Sequence, residues 1–161
     1  MLHYKRLTIF FFLIIVLASL SACSNTEGVP INVVTFELDG VTWESSNATA
    51  AVSQGSNLFT LQLSARNDED ELIIIEILSF SSQSIGTFVF DSGGNNQMTW
   101  APSGSVDATS FNSSLCSFND GQVTISQLDD FEITGTFQGV VCGATGQRTI
   151  SNGRFLNVFL Q

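Results

Sequence analysis

The sequence has a single histidine, and it lies at position 3 of 161 residues. Histidine is the commonest general base near neutral pH and the commonest metal ligand in proteins. The chain beyond its first few residues therefore has no means for Ser-His-Asp or Cys-His catalysis, and histidine zinc sites are excluded with them. A metal site here would have to use oxygen ligands, which favours calcium over transition metals.

Basic residues are also scarce. If residues 1–22 are removed as a signal, the remaining chain has three arginines, Arg66, Arg148 and Arg154, against fifteen carboxylates, a formal charge of −12. A surface of this charge repels nucleic acid and anionic lipid head groups. We therefore expect no nucleic-acid partner and no membrane attachment through a basic patch.

The one long apolar run lies at the N-terminus and is too short to span a bilayer. It follows Lys5-Arg6, and its core from Ile9 to Leu20 has twelve residues. As a helix that core is about 18 Å long, against a hydrocarbon thickness of about 30 Å. A basic head, an apolar core and small residues at its end are typical of a secretion signal, so we predict a signal helix in residues 1–22.

The end of this run, Leu20-Ser21-Ala22-Cys23, resembles a bacterial lipobox. In that motif the cysteine thiolate accepts a diacylglyceryl group, and cleavage frees its amine for a further acyl chain, which together give stable anchoring. We predict lipidation at Cys23 and membrane attachment through that lipid; the alternative is a plain signal peptide with a chance cysteine. Ser24 and Asn25 lack the aspartate of the inner-membrane retention rule of enteric bacteria. An outer-membrane location is therefore favoured, on its periplasmic or its cell-surface face.

Two further cysteines, Cys116 and Cys142, would be exported with the chain. Disulfides persist outside the cytoplasm, and a bridge between these residues would stabilise the fold by about 3.5 kcal/mol on the chain-entropy model. We predict this disulfide; the alternative is two separate buried thiols.

The chain after Cys23 has the pattern of a short tether followed by one β domain. Residues 23–32 contain Gly28 and Pro30 without apolar periodicity, which is typical of a linker. Residues 33–161 alternate apolar and polar positions and sustain no helical period. The number of residues suits a single domain.

Three dipeptides in this domain favour two-residue hairpin turns because they adopt positive φ readily. Asp39-Gly40 is predicted to join a strand ending at Leu38 to one beginning at Val41. Asp120-Gly121 is predicted to join Leu115–Asn119 to Gln122–Gln127, and Asn152-Gly153 to join Arg148–Ser151 to Arg154–Leu160.

Six more stretches between turn residues have the β pattern: Thr49–Ser53, Leu58–Ala65, Leu72–Phe80, Thr87–Phe90, Gln97–Ala101 and Phe131–Val141. Short strands at this spacing predict an all-β antiparallel meander of roughly ten strands, folded as a β-sandwich or flattened barrel. Leu72–Phe80 is apolar on both faces. It is either a central strand covered on both sides or a strand that exposes one face to a partner or to lipid.

The chain also resembles a known family. Phe36-Glu-Leu-Asp-Gly-Val-Thr-Trp43, Gly121-Gln-Val-Thr-Ile-Ser-Gln-Leu-Asp129, Ile133-Thr-Gly-Thr-Phe137 and Thr149-Ile-Ser-Asn-Gly-Arg-Phe155-Leu-Asn-Val158 resemble an uncharacterised family of Bacteroidetes-type lipoproteins, a domain of unknown function. The resemblance covers about residues 33 to 160. It implies a β-rich lipoprotein, and it implies no activity and no functional residues.

Three candidate sites remain, each with a simpler explanation. Asp68 and Asp70 lie in an acidic turn and are calcium candidates, although such turns are usually only solvated. Glu76 lies inside the most apolar strand and is a candidate general acid; otherwise it lies at a solvated edge or pairs with an arginine. Trp43 and Trp100 are candidates for stacking on sugars, and Trp100, close to Pro102, is the one that we expect to be exposed.

These observations favour a lipid-anchored cell-envelope protein whose domain is a non-catalytic binding or interaction module for a protein or glycan. We expect no cofactor. The alternative is a carboxylate-based glycoside hydrolase acting on envelope polysaccharide, which would need a second carboxylate facing Glu76 across the substrate.

Overall fold

The computed structural model describes residues 29–80, 84–118 and 120–161. These residues form eleven strands and one 3-10 helix, Ser113–Leu115, and contain no α-helix, so the all-β prediction is confirmed. No helix in this part of the chain has the length and hydropathy needed to cross a membrane. In chain order the strands are β1 Val33–Leu38, β2 Val41–Ser45, β3 Ala48–Gln54, β4 Phe59–Arg66, β5 Leu72–Ser79, β6 Gly86–Val89, β7 Asn96–Ala101, β8 Phe111–Asn112, β9 Gly121–Leu128, β10 Glu132–Gly143 and β11 Gly146–Phe159.

All the strands belong to one antiparallel sheet. Its order is β2-β1-β11-β10-β8-β7-β5-β4-β3, with β9 paired to β10 and β6 paired to β9. β3, at one end of this order, meets the chain just after β11 near the other end, because Ala50 forms a parallel bridge with Leu160 and accepts a 2.9 Å hydrogen bond from the N–H of Gln161. The sheet is therefore nearly closed into a barrel, which decides between the two predicted architectures.

The first predicted hairpin turn is confirmed. Asp39 and Gly40 have φ values of 51° and 84°, and they connect the paired residues Leu38 and Val41 at the ends of β1 and β2. The turn is also fixed to a distant strand, since Asp39 Oδ1 accepts a 2.8 Å hydrogen bond from the N–H of Thr149. Positive φ at both positions is what a type I′ turn requires.

The second predicted turn, Asp120-Gly121, is wrong as a hairpin. Leu115 lies in the 3-10 helix and not in a strand, while Gly121 is the first residue of β9. The glycine is there because β9 and β10 approach closely: a Cβ at Gly121 would lie 2.8 Å from the Cα of Gly139. Close packing of two backbones, and not a turn, requires this glycine.

The third predicted turn, Asn152-Gly153, is also wrong, because β11 runs through it without reversing. Asn152 has φ 54°, and the register of β11 against β1 shifts between Thr35 and Glu37 opposite this point. The pair therefore forms a β-bulge within a long strand. The actual hairpin of this region joins β10 to β11 at Gly143 and Gly146.

The core fills the barrel with aromatic and branched side chains. Phe36 packs on Trp43 with 4.6 Å between ring centroids and on Phe137 at 5.8 Å, and Phe137 lies 6.4 Å from Phe155. Alternate residues of β5 complete this core: Ile73, Ile75 and Ile77 are buried. The opposite face of β5, formed by Leu72, Ile74, Glu76 and Leu78, is half-buried, so the strand is central but only one of its faces is fully covered.

The predicted disulfide is confirmed. Cys116 and Cys142 are bonded, with their Cα atoms 5.2 Å apart, and they lie 26 positions apart in sequence. The bond links the segment after the 3-10 helix to β10. It therefore fixes an irregular stretch of chain against a strand in the interior of the sheet.

Candidate functional site

A trough of about 420 Å³ lies on the outer wall of the barrel over β3, β4, β5 and β7. Its floor contains Gln62, Glu76 and Gln97, which are paired side by side in the register of β4, β5 and β7. Gln62 and Glu76 alternate along their strands with buried residues, so their side chains point away from the core. Gln97 is paired with Glu76 and therefore lies on the same outer face. One end is bounded by Gly94 and Asn95 in the segment before β7.

The carboxylate of Glu76 is held by amides from both neighbouring strands. Nε2 of Gln62 donates to Oε1 at 3.2 Å, and Nε2 of Gln97 donates to Oε2 at 2.6 Å. The row continues onto β8, where Nδ2 of Asn112 donates to Oε1 of Gln97 at 3.0 Å and to Oγ1 of Thr99 at 2.7 Å. A chain of planar polar groups thus crosses four strands, each oriented by the next.

This arrangement corrects both simple explanations of Glu76. The residue lies in a central strand and not at an edge, and its partners are glutamines and not an arginine. Sequence reasoning missed Gln62, Gln97 and Asn112 as members of the site. Each occupies an outward position in its strand, but only the register of three separate strand pairs brings them together, and a single sequence does not contain that register.

The trough has the chemistry of a binding surface for polar groups. Amides and a carboxylate donate and accept hydrogen bonds in fixed directions, while Val52 and Leu78 add apolar contact area. Among the residues that line the trough, Glu76 is the only carboxylate. A general acid there would have no second carboxylate in the same trough to act as its base or nucleophile.

The tryptophans do not contribute to this surface. Trp100 is only 6% exposed and packs against Phe111 with 5.3 Å between ring centroids, so the expected exposure is wrong. The physical reason is its register: Trp100 lies opposite buried Ile73 and Phe111 on the strands to either side, which turns it inward. Trp43 is 4% exposed. Neither ring offers a face to a sugar.

The acidic turn between β4 and β5 is organised by its own hydrogen bonds. Asp70 forms an ion pair with Arg66, whose Nη2 also donates to the carbonyl of Gly104 at 2.6 Å. Asn67 accepts a 2.8 Å hydrogen bond from the N–H of Glu71 and donates to its carboxylate at 3.0 Å. Asp70 is thus directed to an arginine and not to a ligand set shared with Asp68. Across the described ranges no group of three or more Asp, Glu, His or Cys is placed to hold a metal ion.

A second, larger depression of about 650 Å³ lies between this turn and the edge strand β2. Its charged lining residues are all carboxylates, Glu44, Asp68, Glu69 and Glu71. It therefore disfavours anionic ligands. The floor includes Trp43, whose indole Nε1 is buried without a hydrogen-bond partner.

The predicted signal at 1–22, the lipidation residue Cys23 and most of the tether at 23–32 lie outside the described residues. The last part of the tether is described, and it is attached to the barrel. The N–H of Asn32 donates to the carbonyl of Asn157 at 3.1 Å, and Nδ2 of Asn157 donates to the carbonyl of Pro30 at 2.8 Å.

The fold and the trough define a class: an all-β domain of eleven strands, nearly closed into a barrel, with an open polar surface on its wall. The model of the family described as Domain of unknown function (DUF6252) matches residues 32–159, and the chain belongs to this family. This confirms the membership of a family of unknown function that the resemblance predicted. No curated protein and no solved structure matches the chain.

Proposed function

We propose that this protein is a lipid-anchored component of the cell envelope whose β domain is a non-catalytic module that binds a polar ligand in the trough around Glu76. The observation that carries the binding role is the carboxylate of Glu76 held between Gln62 and Gln97 in an open trough. A row of oriented donors and acceptors at a solvent-accessible surface suits hydroxyl-rich or amide-rich ligands. Glycans of the envelope are the first class to test.

The trough supports binding over hydrolysis. Glycosidases act with two carboxyl groups that are roughly 5 to 10 Å apart, and only one carboxylate lines this trough. Both oxygens of that carboxylate already accept hydrogen bonds from amides. Turnover of chromogenic glycosides that Glu76→Gln abolishes would overturn the non-catalytic proposal in favour of a hydrolase.

The binding role is tested on a glycan array with the full lipidated chain in mild detergent. We expect at least one glycan to bind the wild type and to bind neither Glu76→Gln nor Gln97→Ala. Glu44→Gln is the matched control, because it removes a carboxylate from the other depression and leaves the trough unchanged. Glycan binding that persists in both trough variants would show that the binding site lies outside the trough. An array on which no glycan binds the wild type would exclude this ligand class.

The anchoring role rests on Leu20-Ser21-Ala22-Cys23. We expect metabolic labelling with a fatty acid to mark the wild type and not Cys23→Ala, and we expect the wild type to fractionate with the outer membrane. Labelling that persists in Cys23→Ala would contradict anchoring at this cysteine. Recovery of the labelled protein in the inner membrane would contradict the outer-membrane location alone.

A further inference from the structure

Exposed apolar side chains concentrate at one end of the barrel, the end where the described chain begins. We name this end the entry rim and define it by seven residues. They are Val29, Ile31, Leu58, Phe80, Ile85, Phe131 and Phe159, all between 40% and 77% exposed. The other five exposed large apolar residues in the described chain are spread over β2, β6 and the segment between β7 and β9.

The sheet register shows that these seven residues share one end. Pairing of Glu132 with Phe159, and of Val33 with Leu156, places the starts of β10 and β1 beside the end of β11. The parallel bridge from Ala50 to Leu160 makes β3 run in the same direction as β11. The loop from β3 to β4, which contains Leu58, and the residue after β5, Phe80, therefore lie at this same end.

Hydrogen bonds attach the incoming chain to this rim. Oδ1 of Asn32 accepts from the N–H of Phe159 at 2.9 Å, and the N–H of Leu160 donates to the carbonyl of Phe131 at 2.8 Å. Together with the bond from Asn157 to Pro30, these contacts fix where the chain enters. Val29, the first described residue, therefore lies at the rim itself and not at the opposite end.

The length of chain before the rim limits its distance from a lipid at Cys23. Val29 lies six positions after Cys23, and six fully extended residues span about 20 Å at most. Lipid at Cys23 would thus keep the entry rim within that distance of the bilayer surface. A cluster of exposed apolar side chains marks a contact surface, and Phe, Leu and Ile are residues that enter the head-group boundary.

We propose that the entry rim rests on the bilayer, with Phe80 and Phe131 inserted among zwitterionic head groups. This inference rests on the proposed lipidation of Cys23. The partner is zwitterionic lipid, because Asp129 and Asp130, in the turn beside Phe131, would be repelled by an anionic surface. The opposite end, with the turn at Asp39 and the acidic turn between β4 and β5, then faces away from the membrane.

The test uses tryptophan reporters in the full lipidated chain, reconstituted into phosphatidylcholine and phosphatidylethanolamine vesicles that contain brominated phosphatidylcholine. The native Trp43 and Trp100 are buried and form a constant background. Phe80→Trp and Phe131→Trp place reporters on two separate loops of the rim. Val41→Trp is the matched control, because Val41 is 71% exposed at the turn of β1 and β2, at the opposite end.

We expect brominated lipid to remove most of the added emission of Phe80→Trp and Phe131→Trp and to leave that of Val41→Trp unchanged. Flotation of the vesicles separates the two proposals. If the protein fails to float with the vesicles, anchoring fails, and the rim proposal fails with it. If it floats but either rim reporter is quenched no more than Val41→Trp, anchoring stands and the rim proposal is overturned.

Discussion

Glu76 and Gln97 lie opposite each other on β5 and β7, and the amide of Gln97 donates a 2.6 Å hydrogen bond to the Glu76 carboxylate. Hydrogen bonds to an ionised group are shorter and stronger than neutral ones. This hydrogen bond therefore fixes the orientation of two side chains in the trough, and it also contributes to the stability of the sheet. It links the proposed binding role to a measurable free energy of unfolding.

The first prediction concerns that free energy. Glu76→Gln replaces a carboxylate that accepts from two amides with an amide that has only one acceptor oxygen, so one donor loses its partner. We expect the free energy of unfolding in urea to fall by about 1 kcal/mol, discounted because the site is half-exposed. The exposed Glu44→Gln is the control and should stay within about 0.5 kcal/mol of the wild type. Equal effects of the two substitutions would contradict a stabilising role for the hydrogen bonds from Gln62 and Gln97 to Glu76.

The second prediction concerns the disulfide. The double variant Cys116→Ser and Cys142→Ser should lose about 3.5 kcal/mol of stability, which lowers the melting temperature by about 10 °C for a domain of this size. Thermal unfolding of the wild type with reductant should approach that of the double variant. Reductant should leave the double variant itself unchanged, and a melting temperature insensitive to reductant in the wild type would contradict a stabilising bridge.

The third prediction concerns close packing at Gly135. A Cβ at this buried position would collide with the carbonyl of Thr124 on β9 and with the ring of Phe155 on β11. The backbone on one side and the core aromatic ring on the other have little room to move. Gly135→Ala should therefore lower the free energy of unfolding, measured in urea, by about 3 kcal/mol. Gly55→Ala is the matched control: its nearest neighbour would be the carbonyl of Leu58 at an ordinary 3.7 Å. A similar loss in both variants would mean that the collision is not the cause.

The fourth prediction concerns acid stability. The N–H groups of Phe131 and Glu132 donate to the carboxylate of Asp129 at 2.8 and 2.9 Å, and they hold the pKa of Asp129 below its ordinary value. Since the folded pKa is the lower one, this carboxylate stabilises the fold above the unfolded pKa, and the contribution is lost as pH falls through the folded pKa. Asp129→Asn should therefore be less stable than the wild type at neutral pH. The difference in free energy of unfolding between the two proteins, measured in urea, should become smaller toward acid pH. A difference that does not change with pH would rule out this linkage.

The sequence predicted the β class and most of the strands because hydrophobic alternation is a local property. Thr49–Ser53 and Gln97–Ala101, for example, lie within one or two residues of β3 and β7. β8 was missed because two residues, Phe111–Asn112, carry no periodicity. Its existence depends on pairing with β7 and β10, which are remote in sequence.

The turn dipeptides show a different limit. Asp39-Gly40 and Asn152-Gly153 both adopt positive φ at their first residue, but only the first dipeptide has it at its glycine as well. One reverses the chain and the other forms a bulge, because β11 is paired to β1 on one side and to β10 on the other. Neighbouring strands, and not the dipeptide, decide which outcome occurs.

The candidate site was the least predictable part, because its residues are brought together only by the register between separate strands. Glu76 was identified as unusual from its apolar surroundings, but its partners Gln62 and Gln97 lie 14 and 21 positions away on other strands. Trp100 was expected outside because Pro102 follows closely, yet its pairing with buried Ile73 and Phe111 turns the ring inward before the strand ends. Both outcomes depend on which residues face each other across strands.

The pairing of β1 with β11 joins the beginning of the domain to its end, with Val33 opposite Leu156 and Ala50 bridged to Leu160. During synthesis, the first strand has no partner for its outer edge until the last strand has been made. Folds dominated by such distant pairings form slowly, over milliseconds to seconds. The barrel can therefore close only after the whole domain has been synthesised, since its first strand must wait for its last one.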